Sequence, residues 1–153
     1  MESDKWDQRW MEVAQHFGTW SKDPSTKVGC VVIGSSNQVL TQGFNGFPRG
    51  ANDSLARYHN RSVKYKWVEH AERNAIYNAA RTGTSLMQAT LYVPWFSCAE
   101  CSRAIAQSGI STLVTYNPST YDADFMVRWG QDFIISCDIL YETKVTVRYI
   151  EKD

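Results

Sequence analysis

Hydrophobic and polar positions follow a helical period at the start of the chain and a strand-like pattern after it. Over residues 4–20, apolar residues recur three and four positions apart, which predicts an amphipathic helix. The residues on its buried face are Trp6, Trp10, Val13, Ala14 and Phe17. Two apolar runs follow, 28–34 and 39–44, and their length and β-branched content predict strands joined as a hairpin.

Helical and strand-like segments then alternate. The predicted helices cover 70–82, 98–109 and 121 to about 130, and the predicted strands cover 89–93, 112–116 and 144–150. A hairpin followed by this alternation predicts an α/β fold with a mixed sheet and helices on both faces. The polar segments that start helices lie where strands end, which is where such folds place ligands.

Two segments between residues 43 and 67 have unusual composition. Three glycines, a proline and an asparagine fall within 43–50, which is either a surface turn or a loop that brings Asn45 and Arg49 to a ligand. Residues 51–67 are either a solvated insertion or a local anion site. Their basic side chains are Arg57, His59, Arg61, Lys64 and Lys66. Neither His16 nor His59 is assigned a role.

Composition limits the class of protein. The 153 residues are 43% hydrophobic and 21% charged, which predicts one globular domain over 1–153. Lys+Arg and Asp+Glu both number 16, so the basic excess of a polynucleotide-binding protein is absent. The amino terminus is charged, so we expect no signal peptide. The sequence has no apolar stretch long enough for a membrane-spanning helix, so we expect no membrane span. We therefore expect a soluble cytoplasmic protein.

The candidate chemistry lies in His70-Ala71-Glu72 and in the pair Cys98 and Cys101. One histidine and two cysteines can bind zinc and leave a fourth tetrahedral position open. Cysteines three apart at a helix start point to one side, and the positive helix end favours their thiolates. Histidine and glutamate two positions apart face one cavity only if His70 lies at the start of its helix.

Bound zinc lowers the pKa of water to about 7. Glu72, which is not a ligand in this interpretation, would take that proton and deliver it to a ring nitrogen of the substrate. H-x-E with a downstream C-x-x-C is the signature of zinc deaminases. The alternative is a closed structural zinc, whose fourth ligand would have to be Cys30 or Cys137, the two remaining cysteines.

Over about residues 21–121 the chain resembles the deoxycytidylate (dCMP) deaminases of the cytidine deaminase-like superfamily. The resemblance rests on Ser21-Lys22-Asp23-Pro24 with Val28-Gly29-Cys30, on the 43–50 loop, on 70–76 and on 98–101. It implies a three-layer α/β/α sandwich with a five-stranded mixed sheet and a homohexamer. The implied activity is zinc-dependent hydrolysis of dCMP to dUMP and ammonia, which supplies dUMP for thymidylate synthesis.

The resemblance also implies roles for particular residues. Zinc would be held by His70, Cys98 and Cys101, with Glu72 as the proton shuttle. The substrate contacts would be Ser21, Lys22, Asn45 (on the sugar hydroxyl), Ala71, Trp95 and Tyr121. dCTP as activator, or dTTP as inhibitor, would bind with Mg²⁺ at an effector site formed by Asn45, Gly46, Pro48, Arg49, Gly50 and Lys66.

Two positions depart from the family pattern. Ser97 stands where the superfamily has proline before the first cysteine, and Glu69 precedes His70 where a small or apolar residue is usual. Two other functions remain open from the sequence. One is deamination of another free cytosine nucleotide or nucleoside, and the other is a non-catalytic, zinc-stabilised nucleotide-binding module.

Overall fold

The computed structural model describes residues 2–152, with side chains from Lys5 onward. Six helices and five strands follow one another along this part of the chain, with a short 3-10 turn at Pro118–Thr120. In chain order they are α1 (Glu2–Gly18), β1 (Gly29–Ile33), β2 (Val39–Phe44), α2 (Leu55–His59), α3 (Arg61–Trp67), α4 (Ala71–Thr82), β3 (Thr90–Tyr92), α5 (Ala99–Gln107), β4 (Thr112–Tyr116), α6 (Ala123–Glu142) and β5 (Thr146–Ile150).

The strands form one five-stranded sheet in the order β2-β1-β3-β4-β5. Strand β1 pairs antiparallel with both β2 and β3, whereas β3, β4 and β5 run parallel. The first two strands thus form the predicted hairpin, and the parallel strands are connected through helices, as parallel strands require. The prediction of a mixed sheet is confirmed.

Alternate residues of β1 face two separate hydrophobic clusters. Cys30 and Val32 belong to the cluster that includes α4, α5 and α6, and Val31 and Ile33 belong to the cluster on α1. Because successive side chains of a strand point to opposite faces, the sheet has helices on both sides. This confirms the three-layer α/β/α sandwich.

A buried carboxylate ties α1 to the sheet. Asp7 is 4% exposed and accepts a hydrogen bond from the Tyr92 hydroxyl at 2.8 Å. Its other carboxylate oxygen lies 2.9 Å from Arg148 Nη1 on β5. Both oxygens of the buried charge are therefore satisfied by partners on two different strands.

Helix α4 packs unusually close to β2. A Cβ at Gly43 would lie 2.4 Å from the carbonyl oxygen of Ala71, so only glycine fits between strand and helix. Side-chain hydrogen bonds fix the same contact, because Thr41 Oγ1 donates to the Ala75 carbonyl at 2.9 Å and Asn74 Nδ2 donates to the Phe44 carbonyl at 2.8 Å. The first turn of α4 is thereby held against the sheet.

The prediction that the last helix ends near Gly130 was wrong, because α6 continues to Glu142. A glycine inside a helix costs about 1 kcal/mol relative to alanine. Here Phe133 and Leu140 are buried in the core beyond Gly130, and their packing outweighs that cost. Helix α1 ends at Gly18, where a Cβ would lie 2.9 Å from the backbone nitrogen of Gly29.

The charged segment 51–67 contains two short helices, α2 and α3. Tyr58 of α2 is buried, and its ring lies 4.5 Å from the ring of Phe47 in the loop 43–50, the glycine loop. The Arg57 guanidinium packs over Phe47 and Trp67. This segment therefore docks onto the glycine loop. Within residues 2–152, none of the helices has the length and apolar content that crossing a membrane would need.

Candidate active site

The start of α4 places His70 and Glu72 on one cavity. His70 is the N-cap residue, with extended backbone at φ −75° and ψ 159°, so its side chain precedes the first helical turn. Glu72 lies in that first turn and is 5% exposed. The backbone before the helix is held by paired hydrogen bonds between Gly46 and Glu69, at 3.1 and 2.8 Å. A spacing of two therefore directs both groups to the same cavity, as the sequence predicted.

The start of α5 brings two sulfurs to the same place. Cys98 is the N-cap residue, and its sulfur accepts a hydrogen bond from the Cys101 backbone nitrogen at 3.4 Å. Both cysteine sulfurs lie 3.5 Å from His70 Nδ1. Two sulfurs and one imidazole nitrogen within 4.8 Å of one another fit Zn²⁺, which binds such donors tetrahedrally.

The described residues add no fourth histidine, cysteine or carboxylate to this group. The two other cysteines lie elsewhere, since the Cys30 sulfur donates to the Ala71 carbonyl at 3.1 Å and Cys137 is exposed on α6. A closed structural zinc would need such a ligand. The arrangement therefore fits an open, three-ligand metal site better than a closed one.

Hydrogen bonds within the group favour a thiolate. The Cys101 side chain, together with His70, lowers the pKa of Cys98 to about 3 against the opposing effect of burial. Conversely, the hydrogen bond to Cys98 and burial raise the pKa of Cys101. The hydrogen bond with Cys98 also raises the pKa of His70. Metal binding deprotonates coordinating thiols, so this donor set suits a divalent cation.

A buried arginine contacts the group from the side. Arg73 Nη1 lies 3.3 Å from the Cys101 sulfur. The same guanidinium forms ion pairs with Glu69 at 2.9 Å and with Glu100 at 3.4 Å. Arg73 thus links the residue before His70 to a cysteine of the other helix.

A cavity of about 690 Å³ opens in front of His70 and Cys98. The loop before β1, α3, the start of α4 and the first half of α6 form its walls. Trp95 lines it as well and packs on Phe125, with ring centroids 4.6 Å apart. The cavity has the size expected for a small-molecule site and aromatic walls suited to a flat ring.

Three of the predicted substrate residues line this cavity: Asn45, Ala71 and Trp95. The side chain of Asn45 also has a structural role, since Nδ2 donates to the Thr26 carbonyl at 2.8 Å and Oδ1 accepts from Val28 N at 2.9 Å. Ser97, which stands where the family pattern has proline, is fully buried behind the wall that Trp95 and Phe96 form.

The other three predicted substrate residues do not line the cavity in the part of the chain that is described. Tyr121 packs behind Trp95, and its hydroxyl donates to the Tyr116 carbonyl at 2.9 Å. Ser21 donates to the Asn45 carbonyl at 2.8 Å, and Lys22 forms an exposed ion pair with Asp53 at 2.7 Å. Tyr121 and Ser21 thus lie behind residues that line the cavity, and Lys22 lies on the surface. Their positions depend on contacts with residues that are remote in sequence.

Of the predicted effector residues, Asn45 alone borders the cavity within the described region. Arg49 extends over α4 and donates to Asn78 Oδ1 at 2.6 Å. Gly50 has φ +85°, a left-handed conformation that favours glycine, and Lys66 is exposed on α3. The structure therefore places the glycine loop beside α4 rather than inside the cavity.

Sequence reasoning missed the wall contributed by α6. Phe125, Arg128, Trp129 and Phe133 all line the cavity. Residues 125, 129 and 133 have helical spacing, but the predicted helix ended near Gly130 and therefore left out residue 133. Also missed was the ion pair between Lys64 and Asp23, 2.8 Å apart, because the two residues are remote in sequence.

Comparison with known proteins agrees with this geometry. Residues 4–117 match the family described as the cytidine and deoxycytidylate deaminase zinc-binding region. The chain is 39% identical over 149 residues to an uncharacterized deaminase in the luxG 3' region of Aliivibrio fischeri, covering 97% of this chain and 96% of that protein. It is 33% identical over 125 residues to the deoxycytidylate deaminase of Homo sapiens, covering 78% of this chain and 69% of that protein.

A solved structure extends the likeness to the fold. The dCMP deaminase of cyanophage S-TIM5, in complex with dCMP and dUMP, superposes with a TM-score of 0.75 at 25% identity, covering 95% of this chain and 97% of that one. Together with the matched zinc-binding region, this shows that the chain is an enzyme of the cytidine and deoxycytidylate deaminase family.

Proposed function

We propose that this protein catalyses the zinc-dependent hydrolytic deamination of dCMP to dUMP and ammonia. The observation that carries the proposal is the group of His70, Cys98 and Cys101, with Glu72 on the same cavity. Relatives named deoxycytidylate deaminase and a fold neighbour solved with dCMP and dUMP support dCMP as the substrate.

His70, Cys98 and Cys101 would hold Zn²⁺, which when bound lowers the pKa of water to about 7. Glu72 takes a proton from the attacking water and delivers it to the ring nitrogen beside the amine-bearing carbon. It later moves the second proton of that water, from the oxygen now bonded to the carbon, to the amine, so that the carbon–nitrogen bond breaks, the carbonyl forms and ammonia leaves. The low exposure of Glu72 supports this role, because a carboxylate shielded from bulk water keeps the proton for the substrate.

The remaining substrate contacts follow from the cavity walls. Trp95 and Phe125, whose rings stack on each other with centroids 4.6 Å apart, form an aromatic wall for the pyrimidine ring. Asn45 keeps one amide hydrogen beyond its bond to Thr26 and can donate it to the sugar hydroxyl. Ala71 lies between His70 and Glu72, lines the cavity and contributes a backbone contact to the substrate.

The test is turnover by the purified, zinc-loaded protein. dCMP, dCTP, cytidine and deoxycytidine are supplied separately, and loss of cytosine absorbance is followed. We expect the highest kcat/KM for dCMP. A higher kcat/KM for a nucleoside or for another nucleotide would show that dCMP is not the preferred substrate. The absence of turnover on all four compounds would reject the proposal.

We further propose that dCTP activates and dTTP inhibits the enzyme, each bound with Mg²⁺ at the glycine loop near Arg49, Gly50 and Lys66. Support comes from the backbone pairing of Gly46 with Glu69, directly before His70. A loop that moves on binding a triphosphate would move the start of α4. Coupling of about 1–3 kcal/mol would change dCMP affinity by about 5–150-fold. Saturation curves for dCMP that superimpose with and without each triphosphate would reject this regulation.

The chain is proposed to act as one domain over 1–153, in a cytoplasmic homohexamer that supplies dUMP for thymidylate synthesis. Coverage of 97% of the cyanophage enzyme supports the single domain. Exposed apolar side chains on α6, Val127, Ile134 and Tyr141, support assembly, because such residues on one helix favour burial against another subunit. A solution mass from light scattering at one or two chains would reject the hexamer.

A further inference from the structure

The cavity has a buried end and an exposed rim. Ala71, Glu72 and Phe96 are each at most 5% exposed and lie at the buried end. Arg61 and Arg128 also line the cavity, but both are exposed residues. A ligand that brings its reacting carbon to Glu72 must therefore extend its other end toward the rim.

The two arginines are the rim cations that have no acceptor among the described residues. Lys64 is neutralised by Asp23, whose side chain is 1% exposed. Lys27 donates its ammonium hydrogen to the Ser21 carbonyl. Arg61 and Arg128 have neither a hydrogen bond nor an ion pair with any residue of the described region. Their guanidinium groups are thus available to a ligand.

The two arginines stand on different walls. Arg61 begins α3, and Arg128 lies on α6 between two cavity-lining aromatic residues, Phe125 and Trp129. Helix α6 is anchored in the core by Phe133, whose ring packs 5.2 Å from that of Phe96. Arg128 lies beyond residues 4–117, the zinc-binding region that the chain shares with its family. This part of the rim is therefore separate from the shared zinc-binding sequence.

We propose that Arg61 and Arg128 bind the 5'-phosphate of the substrate from two walls of the cavity and make the enzyme select a nucleoside monophosphate over a nucleoside. This inference rests on the proposed function. A nucleotide carries its base and its phosphate at opposite ends of the sugar, which matches a buried reacting end and a cationic rim. The planar, five-donor guanidinium suits phosphate oxygens, which it can bind in pairs.

The experiment compares dCMP with deoxycytidine. The variants are Arg61→Gln, Arg128→Gln and the double variant, which remove the charge but keep a polar side chain. The matched control is Arg103→Gln, because Arg103 is exposed on α5 and lies outside the cavity lining. Zinc content and the urea midpoint of each protein confirm that the metal and the fold are kept.

We expect each single variant to lose about 10- to 100-fold in kcat/KM for dCMP, since a hydrogen bond to a charged group has that effect on affinity. Activity on deoxycytidine should remain within about twofold of the control, so the ratio of kcat/KM for dCMP to that for deoxycytidine falls. If both single variants keep wild-type activity on dCMP, or lose activity on both substrates equally, the inference is overturned while the proposed function stands.

Equilibrium binding separates the two claims. If the wild-type protein deaminates neither compound, the proposed function fails, and calorimetric titration with dCMP and deoxycytidine decides the arginine role alone. Tighter binding of dCMP that is lost in the double variant supports the role. Equal affinities in the wild type, or a preference that survives both substitutions, overturn it.

Discussion

Replacing Gly43 with alanine tests whether close packing of α4 on β2 sets the geometry of the active site. The added Cβ would lie 2.4 Å from the Ala71 carbonyl oxygen and 2.5 Å from the Ala75 nitrogen. Both contacts are with backbone atoms of α4, which cannot rotate away as a side chain can. Helix and strand must therefore separate.

The structure gives the size of the displacement. Ordinary van der Waals contact begins at 3.4 Å, so the Ala71 oxygen must retreat by about 1 Å. Overpacking of this kind costs about 1–3 kcal/mol of unfolding free energy. Because Ala71 stands between His70 and Glu72, a shift of about 1 Å there should also lower the rate by about 100-fold.

Urea denaturation and dCMP turnover measure the two effects. Gly46→Ala is the matched control for stability, because its nearest neighbour to an added Cβ is the Tyr58 hydroxyl at 3.6 Å. We expect Gly43→Ala to unfold at lower urea than the control and to have lower kcat/KM than the wild type. A Gly43→Ala protein with the urea midpoint of the control and wild-type activity would refute the packing argument.

Three further predictions concern the metal group and the buried carboxylate. Glu72→Gln should keep stoichiometric zinc and lose about 10²–10⁴-fold in kcat; activity within about tenfold of wild type would exclude the carboxylate as the proton shuttle. Cys101→Ala should be isolated without stoichiometric zinc, whereas Cys137→Ala should retain it, and equal zinc in both by metal analysis would contradict the ligand assignment. Tyr92→Phe removes a donor to the buried carboxylate of Asp7 and should lower the unfolding free energy by about 1–3 kcal/mol; an unchanged urea midpoint would show that the hydroxyl contributes nothing to stability.

The metal-binding and proton-transfer residues, and most of the helices and strands, could be predicted from local sequence. His70 and Glu72 are two residues apart, and Cys98 and Cys101 are three apart, so each pair reaches a common point once a helix begins beside it. Those helix starts, and the β1–β2 hairpin, depend on residues adjacent in the chain. Such features are predictable because the determining interactions span only a few positions.

Tertiary structure decided what fills the rest of the cavity. Helix α6 runs past Gly130 because its later residues are buried against the core, a long-range energy that outweighs a local helix breaker. The same packing brings Arg128 to the rim and leaves Tyr121 behind Trp95. Lys64 is unavailable to a ligand because Asp23, 41 positions earlier, lies against it. Contacts between residues far apart in sequence carry no local signal, so these positions follow only from how the helices pack on the sheet.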